Sequence, residues 1–485
     1  ITRKSDMMVS LIYHLLNKRS NNVDTHGHSS SFLAKIETID MTSNNAVTNE
    51  DSNWPSAGIA WYAVAILFIA YTFSFADRFI LSLLIEPIKQ DLQLSDTKIS
   101  LLHGFAFAIF YTVMGIPIGR LADKYNRRHI IALGVATWSV MTAVCGITRG
   151  YWQLFAARVG VGVGEAALSP AAYSMIADLF PPQKLGRALS VYTTGAFVGA
   201  GLAFIIGGTV IAAITSTPEI TLPLIGTIRS WQAAFFVVGL PGLIVAALMY
   251  TVREPVRHIN AAAGNDLVSI TEVFEYVRAR WRVFGTHYLG FSLLGVVFNG
   301  ITAWTPAFLS RSFDMSVGQS GPTIGALILV FGTAGIIIGG WLTDYLGRKG
   351  FEDGAMRTGL VAGIGCIPFA VLVPFMPTLQ WVLLIYCPLL FFASFGFGAA
   401  AAALQQVTPN RMRGMVSAFY LFFLNLIGIG LGPTIIALIT DYVFHDDQAV
   451  GFSLAIMAGC SGLLAALFLW RGLKPFRAEV ARQKS

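Results

Sequence analysis

The chain has 485 residues, of which 55% are hydrophobic and only 12% charged, whereas soluble globular proteins carry about 25% charged residues. That much apolar surface has no place in one water-soluble core, so lipid must serve as its solvent. The formal charge of +7 calls for no nucleic-acid partner, because Lys and Arg in a membrane protein collect in the loops of one side. The four cysteines, Cys145, Cys366, Cys387 and Cys460, stand inside apolar runs without paired or ligand-like spacing. No disulfide framework, metal site or cofactor is expected.

Residues 1–56 are polar, rich in Ser, Asn and Thr and without sustained periodicity, which is the composition of a disordered tail. Beyond them, a scan for apolar runs of about 20 residues, the length that crosses about 30 Å of hydrocarbon, finds twelve. They are 57–86, 98–120, 129–148, 152–179, 186–213 and 231–252, then 284–311, 320–344, 356–376, 379–405, 413–443 and 449–471. Six fall in a first half, 57–252, and six in a second, 284–471. The halves are related. Gly119-Arg120-Leu121-Ala122-Asp123-Lys124, between the second and third runs, returns as Gly340-Trp341-Leu342-Thr343-Asp344-Tyr345 between the eighth and ninth. Arg187-Ala188-Leu189-Ser190 with Gly201 is echoed by Gly414-Met415-Val416-Ser417 with Gly428. Fixed-offset self-similarity of apolar segments marks internal repeats in membrane transporters. The expected fold is all-α and integral to the membrane, with twelve transmembrane helices in two pseudo-symmetric six-helix bundles.

Loop charge gives an orientation. Lys124, Arg127, Arg128, Lys184, Arg187, Arg348, Lys349, Arg357, Arg411 and Arg413 share one face, while the other has Lys89, Lys98, Arg149, Arg229 and Arg311 and an acidic last loop with Asp441, Asp446 and Asp447. By the positive-inside rule the basic face and both termini are cytoplasmic, in an inner or plasma membrane. Residues 253–283 are too polar to span. Val273, Phe274, Val277 and Trp281 share a helical face there beside Arg278, Arg280 and Arg282, the pattern of an interfacial helix or of a plain helical connector. A basic cytoplasmic tail follows at 472–485.

Ionisable groups inside spans are the sharper signal, since each costs at least about 2.5 to 3.5 kcal/mol at the bilayer centre. Asp77 and Arg78 lie in the first span, Arg158 and Glu165 in the fourth. Arg158 and Glu165 are two helical turns apart and share a face, which Ser169 extends, and Arg78 shares its own face with Ser74 and Ser82. The two polar stripes are expected to meet inside the first bundle, Arg78 with Glu165 and Asp77 with an arginine. Such a cluster is either a proton switch or a permanent ion pair. Buried pairs stabilise less than apolar packing does, so the switch is the stronger reading. His103, toward the outer end of the second span, is of a type that titrates near neutrality or sits at the interface.

The repeated Gly-x-Leu-x-Asp stretches read as a cytoplasmic gate built from Gly119, Asp123, Arg127, Asp178 and Arg187, with Gly340, Asp344, Arg348 and Arg413 as the second copy. Gln405 stands where the repeat would place a second Asp178, so the second latch is expected to be weaker. Spans of the second half are nearly free of charge and keep Asn299, Trp304, Ser394, Tyr420 and Asn425 among many phenylalanines. A cavity charged on one wall and apolar on the other suits an amphipathic anion. Arg78, Arg158, Ser74, Ser169, Asn299, Trp304, Tyr420 and Asn425 are its expected lining. An enzyme is not expected, because there is neither metal-ligand spacing nor a nucleophile elbow: Gly162-Val163-Gly164-Glu165 has no serine in the required place.

The twelve spans, the doubled Gly-x-Leu-x-Asp pattern and Arg158-x-x-x-Gly162-x-Gly164 resemble the major facilitator superfamily over about residues 57–471. Asn126 replaces a usual glycine, and Gly199-Ala200-Gly201 stands for a usual glycine-proline. Asp77-Arg78, then Pro87 and Asp91-Leu92, with Glu165 and Arg253-Glu254-Pro255, resemble the spinster family within it, although Ser74-Phe75-Ala76 precede the pair where that family commonly has Asn-Tyr. That resemblance implies alternating-access transport of lysophospholipids or sphingosine phosphate-like lipids, with proton coupling at the matching Asp77, Arg78 and Glu165, to which Arg158 is added. A small organic anion or sugar derivative is the alternative substrate. Protons and the lipid bilayer are the other partners, and a monomer is expected.

Overall fold

The computed structural model describes residues 54–215, 219–222, 226–257 and 269–484, with Asp123 described by its backbone alone. The tail expected at 1–56 lies almost wholly outside the described residues. Among the described residues, eleven helices are long and apolar enough to cross a membrane. Numbered by their place among twelve spans they are Ala57–Leu83 (span 1), Asp96–Ala122 (2), Arg127–Cys145 (3), Lys184–Ile214 (5), Ser230–Met249 (6), Trp281–Phe313 (7), Val317–Arg348 (8), Gly354–Phe375 (9), Leu379–Val407 (10), Arg413–Phe444 (11) and Asp447–Gln483 (12). Span 4 comes in two pieces, Tyr151–Glu165 and Leu168–Leu179. Pro170 explains the break: it has no N–H to donate, and its ring crowds the carbonyl four residues back, at Ala166. The spans form two six-helix bundles, 1–6 and 7–12.

Two features depart from the sequence reading, and the helix expected in the linker is located. The segment 472–485 is no separate tail, because one helix runs Val450–Lys484 with Phe476 and Val480 buried. Glu479 on it accepts from Arg280 Nε at 2.7 Å. The linker forms a helix, Ile270–Ala279, capped by Ser269. Of its expected apolar face only Val273 is fully buried, while Phe274 and Trp281 are exposed. Burial raises the Tyr276 phenol above its ordinary range, which keeps it a neutral donor to the Val407 carbonyl at 2.9 Å. Between spans 5 and 6, Glu219–Leu222 pairs antiparallel with Gly226–Arg229, a turn in which Gly226 takes a φ of +85° that side chains resist.

Apolar burial is unequal across the membrane. One buried cluster joins both bundles on the side of the acidic loops, from Phe79, Ile85 and Phe204 to Trp304, Ile324 and Ile436. The other two each keep to one bundle, apart from Ile429 of span 11, which packs with the first. On the joined side the backbones touch. A Cβ added to Gly321 of span 8 would lie 2.6 Å from the Phe204 carbonyl and 2.7 Å from Gly208 Cα of span 5, closer than side chains allow. Toward the basic face, Gly186, Gly340, Gly347 and Gly414 look onto open space.

Candidate functional site

Close approach builds the centre of the first bundle. Cβ atoms on Gly162 and Gly164 would strike the Phe107 carbonyl of span 2 at 2.7 Å and the Trp138 nitrogen of span 3 at 2.6 Å, so span 4 can press its polar face between its neighbours. Glu165, the last residue before the break, thereby reaches span 1. Its Oε2 accepts from Arg78 Nη2 at 2.7 Å and from Ser74 Oγ at 2.6 Å. All three residues are buried.

The arginine is also caged by rings. Its guanidinium carbon lies 4.4 Å from the Phe107 ring centre, 4.6 Å from that of Phe75 and 5.3 Å from that of Tyr111, and desolvated cation–π contacts are worth up to about 2 kcal/mol or more each. Arg78 Nε and Glu165 Oε1 have no partner among the described residues, so the pair is held at one corner with a donor and an acceptor to spare. Tyr71 continues this wall, stacked on Tyr192 at 4.6 Å, with Tyr173 at 5.5 Å from Tyr192.

Asp77 and Arg158 lie together but not as an ion pair in the ordinary sense. Arg158 Nη1 donates to the backbone carbonyl of Asp77 at 3.4 Å and Nε to that of Leu102 at 3.5 Å. Trp138 and Thr142 of span 3 face the Asp77 carboxyl, and Arg158 Nη2 lacks a hydrogen-bond partner among the described residues. A buried orphan costs about 1–3 kcal/mol. His103 is fully inside, its Nε2 2.8 Å from Ser82 Oγ. Ser169, beyond the break, faces Tyr192 instead of Glu165.

Of the residues expected from the second half, Trp304 is buried and its indole donates to the Pro433 carbonyl at 2.9 Å, tying span 7 to span 11. Tyr420 is buried beside His287, ring centres 5.1 Å apart. Asn299 and Asn425 are half-buried, the first bonded to the Gly295 carbonyl of its own helix. What the second half does present to the first is aromatic: Phe197 of span 5 lies 5.7 Å from Phe298 of span 7 and 5.9 Å from Phe397 of span 10.

The expected gate on the basic face is resolved into two local clusters. Arg127, fully buried, donates to Asp178 at 2.5 Å, to Glu254 at 2.7 Å and to Ser174. Glu254 caps the start of span 3 through the Arg128 nitrogen. Arg187 lies over the Trp61 ring at 5.7 Å. Every one of these contacts stays within the first bundle. In the second, Asp344 and Arg348 are exposed and Arg413 bonds the Thr408 carbonyl, while Asp353 holds Arg357 and Arg477. Gly119 faces Pro170, and Gly340 faces open space.

Ion pairs cross between bundles on the acidic face. Arg311, at the end of span 7, donates to Asp96 through both Nη atoms at 2.6 and 2.8 Å and to Glu86 at 2.8 Å. Lys89 joins Asp96 to Asp447, and Asp441 accepts from the backbone and hydroxyl of Thr97. With Asp96 buried and Arg311 nearly so, the network locks spans 1 and 2 to spans 7, 11 and 12. Both sets of charges are visible in the sequence, but nothing in it pairs them.

Two six-helix bundles joined on the acidic face, with a buried charged cluster inside the first, are the architecture of a membrane transporter. The family model described as Major Facilitator Superfamily matches residues 67–433, and the chain belongs to that superfamily. An MFS-type efflux pump of Mycolicibacterium smegmatis is 29% identical, over 87% of this chain and 95% of its own. A probable L-galactonate transporter of Escherichia coli is 26% identical, over 84% and 89%. A crystal structure of a bacterial homologue of the human lysosomal transporter spinster, inward-facing and unoccupied, superposes with a TM-score of 0.72 at 25% identity, covering 88% of this chain and 98% of that one. The spinster-like character read from the motifs is thus met in a solved structure.

Proposed function

We propose that the chain is a proton-coupled secondary transporter that carries an amphipathic anion, a lysophospholipid or sphingosine phosphate-like lipid, past Arg78 and Glu165. The observation that carries this reading is the buried Arg78–Glu165 pair with its free Nε and Oε1. It lies opposite spans that hold no Asp, Glu, Lys or Arg from Phe291 to Leu309 or from Leu424 to Ile439. An anion entering from the open face competes with Glu165 for Arg78. The displaced carboxylate then takes up a proton, and its recapture of Arg78 after release gives that proton back. Asp77, with Arg158 beside it, is the second proton-handling group. The acyl chain lies against the aromatic wall around Phe298 and Phe397. The basic face is cytoplasmic by its loop charges, so the conformation described is inward-facing, and the Arg311 network is the latch that opens when the molecule faces outward.

A second reading, carriage of a sugar acid, is favoured by the L-galactonate transporter among the relatives. Its substrate would use the same arginine and leave the aromatic wall unfilled. Sealed proteoliposomes with an internal pH dye separate the two. A pH change on adding a lysophospholipid, absent without protein, supports the lipid reading. A change with galactonate alone transfers the assignment to the sugar acid, and a response to neither overturns proton coupling for both.

A further inference from the structure

A groove of about 870 Å³ opens on the acidic-face end of the first bundle, between spans 3 and 6 and roofed by the strand Gly226–Arg229. Its size is that of a ligand site, about 300–1,000 Å³, and it shares no residue with the Arg78 cluster. The walls are Val140, Val144, Ile147, Phe236 and Leu240. Val140, Ile147 and Leu240 are more than two-fifths exposed on helices that cross the bilayer, so the groove is open to acyl chains.

Its upper rim is polar and, with one exception, satisfied internally. Gln232 donates to the Thr148 carbonyl at 2.8 Å and accepts from the Arg229 nitrogen at 2.9 Å. Asp91 accepts from Trp231 Nε1 at 2.8 Å and pairs with Arg229. The exception is Arg149, exposed four residues beyond span 3, whose backbone is fixed by Gln153 while its guanidinium has no partner among the described residues. Since Asp91 offsets Arg229, Arg149 leaves the rim with one uncompensated positive charge at headgroup depth.

We infer that this groove binds one anionic membrane phospholipid, its acyl chain between spans 3 and 6 and its phosphate on Arg149. The inference is independent of what the central site carries. Native mass spectrometry of the full chain in detergent tests it, with phosphatidylglycerol and phosphatidylcholine of identical chains as probes. Wild-type protein should retain one phosphatidylglycerol in preference to phosphatidylcholine. Arg149→Gln should cut that preference about fivefold, the weight of one interfacial cation, and Val140→Trp should weaken both lipids by filling the groove. A preference intact in Arg149→Gln would overturn the assignment.

Discussion

Arg78 is held by three different forces, an ion pair, a hydroxyl-supported carboxylate and a ring cage, and each makes a different prediction. Removing the cation strands Glu165 in a dry environment, which typically costs about 3–5 kcal/mol. Arg78→Gln should therefore lower the thermal unfolding midpoint of the purified protein markedly. The double variant Arg78→Gln with Glu165→Gln should recover most of the loss, since neither charge then remains. A double variant no more stable than the single one would show that the pair contributes little. Ser74→Ala should cost less, about 1.5–3 kcal/mol in the same assay, as expected of one hydrogen bond to a charged group.

Much at this scale was legible, because helical spacing alone brings Arg78 toward Glu165. Ser169 was misplaced because Pro170 ends the helix whose seven-residue spacing it was read on. Trp304 reads from sequence as part of the cavity lining, whereas it ties two helices together. Its partner, the Pro433 carbonyl, lies in another helix and leaves no local trace.

At the scale of elements, the conformation turns on how spans 5 and 8 and the acidic-face loops meet. Gly321→Val places a branched side chain where 2.6 Å separates a Cβ from the Phe204 carbonyl, so the two spans cannot close as described. Spin labels on the 1–2 and 11–12 loops should report longer and broader distances in that variant than in wild type. Arg311→Gln should do the same by freeing Asp96 and Glu86, and an unchanged distance distribution would remove the network from gating. Lys89→Gln should have a smaller effect, because Asp96 keeps both of its bonds from Arg311 and the other partner, Asp447, is half exposed, where pairs are worth about 0–1 kcal/mol. This network escaped sequence reading for a physical reason: its charges lie in separate loops on opposite halves of the chain, and only the folded molecule sets them together. The spans themselves were legible because lipid imposes one length and one composition on each. The hairpin Glu219–Arg229 was not, since four-residue strands carry no such constraint.

For the whole molecule, the joined acidic face is one end of the proposed cycle, whose other end requires the Arg311 network to part and the basic-face ends to meet. The two basic-face clusters, Arg127 with Asp178 and Glu254, and Asp353 with Arg357 and Arg477, are internal to their bundles, so each bundle can move as a rigid body without breaking them. In the proposed mechanism, proton coupling links that motion to Glu165. The most direct measurement compares wild type and Glu165→Gln in sealed proteoliposomes by two readouts: the pH-dye signal evoked by lysophospholipid, and exchange of labelled for unlabelled lipid without a gradient. Wild type should give both, whereas Glu165→Gln should keep exchange and lose the proton signal. A wild-type proton signal in Glu165→Gln would contradict the account, because the proton would then be travelling by a route that does not involve the Arg78 pair.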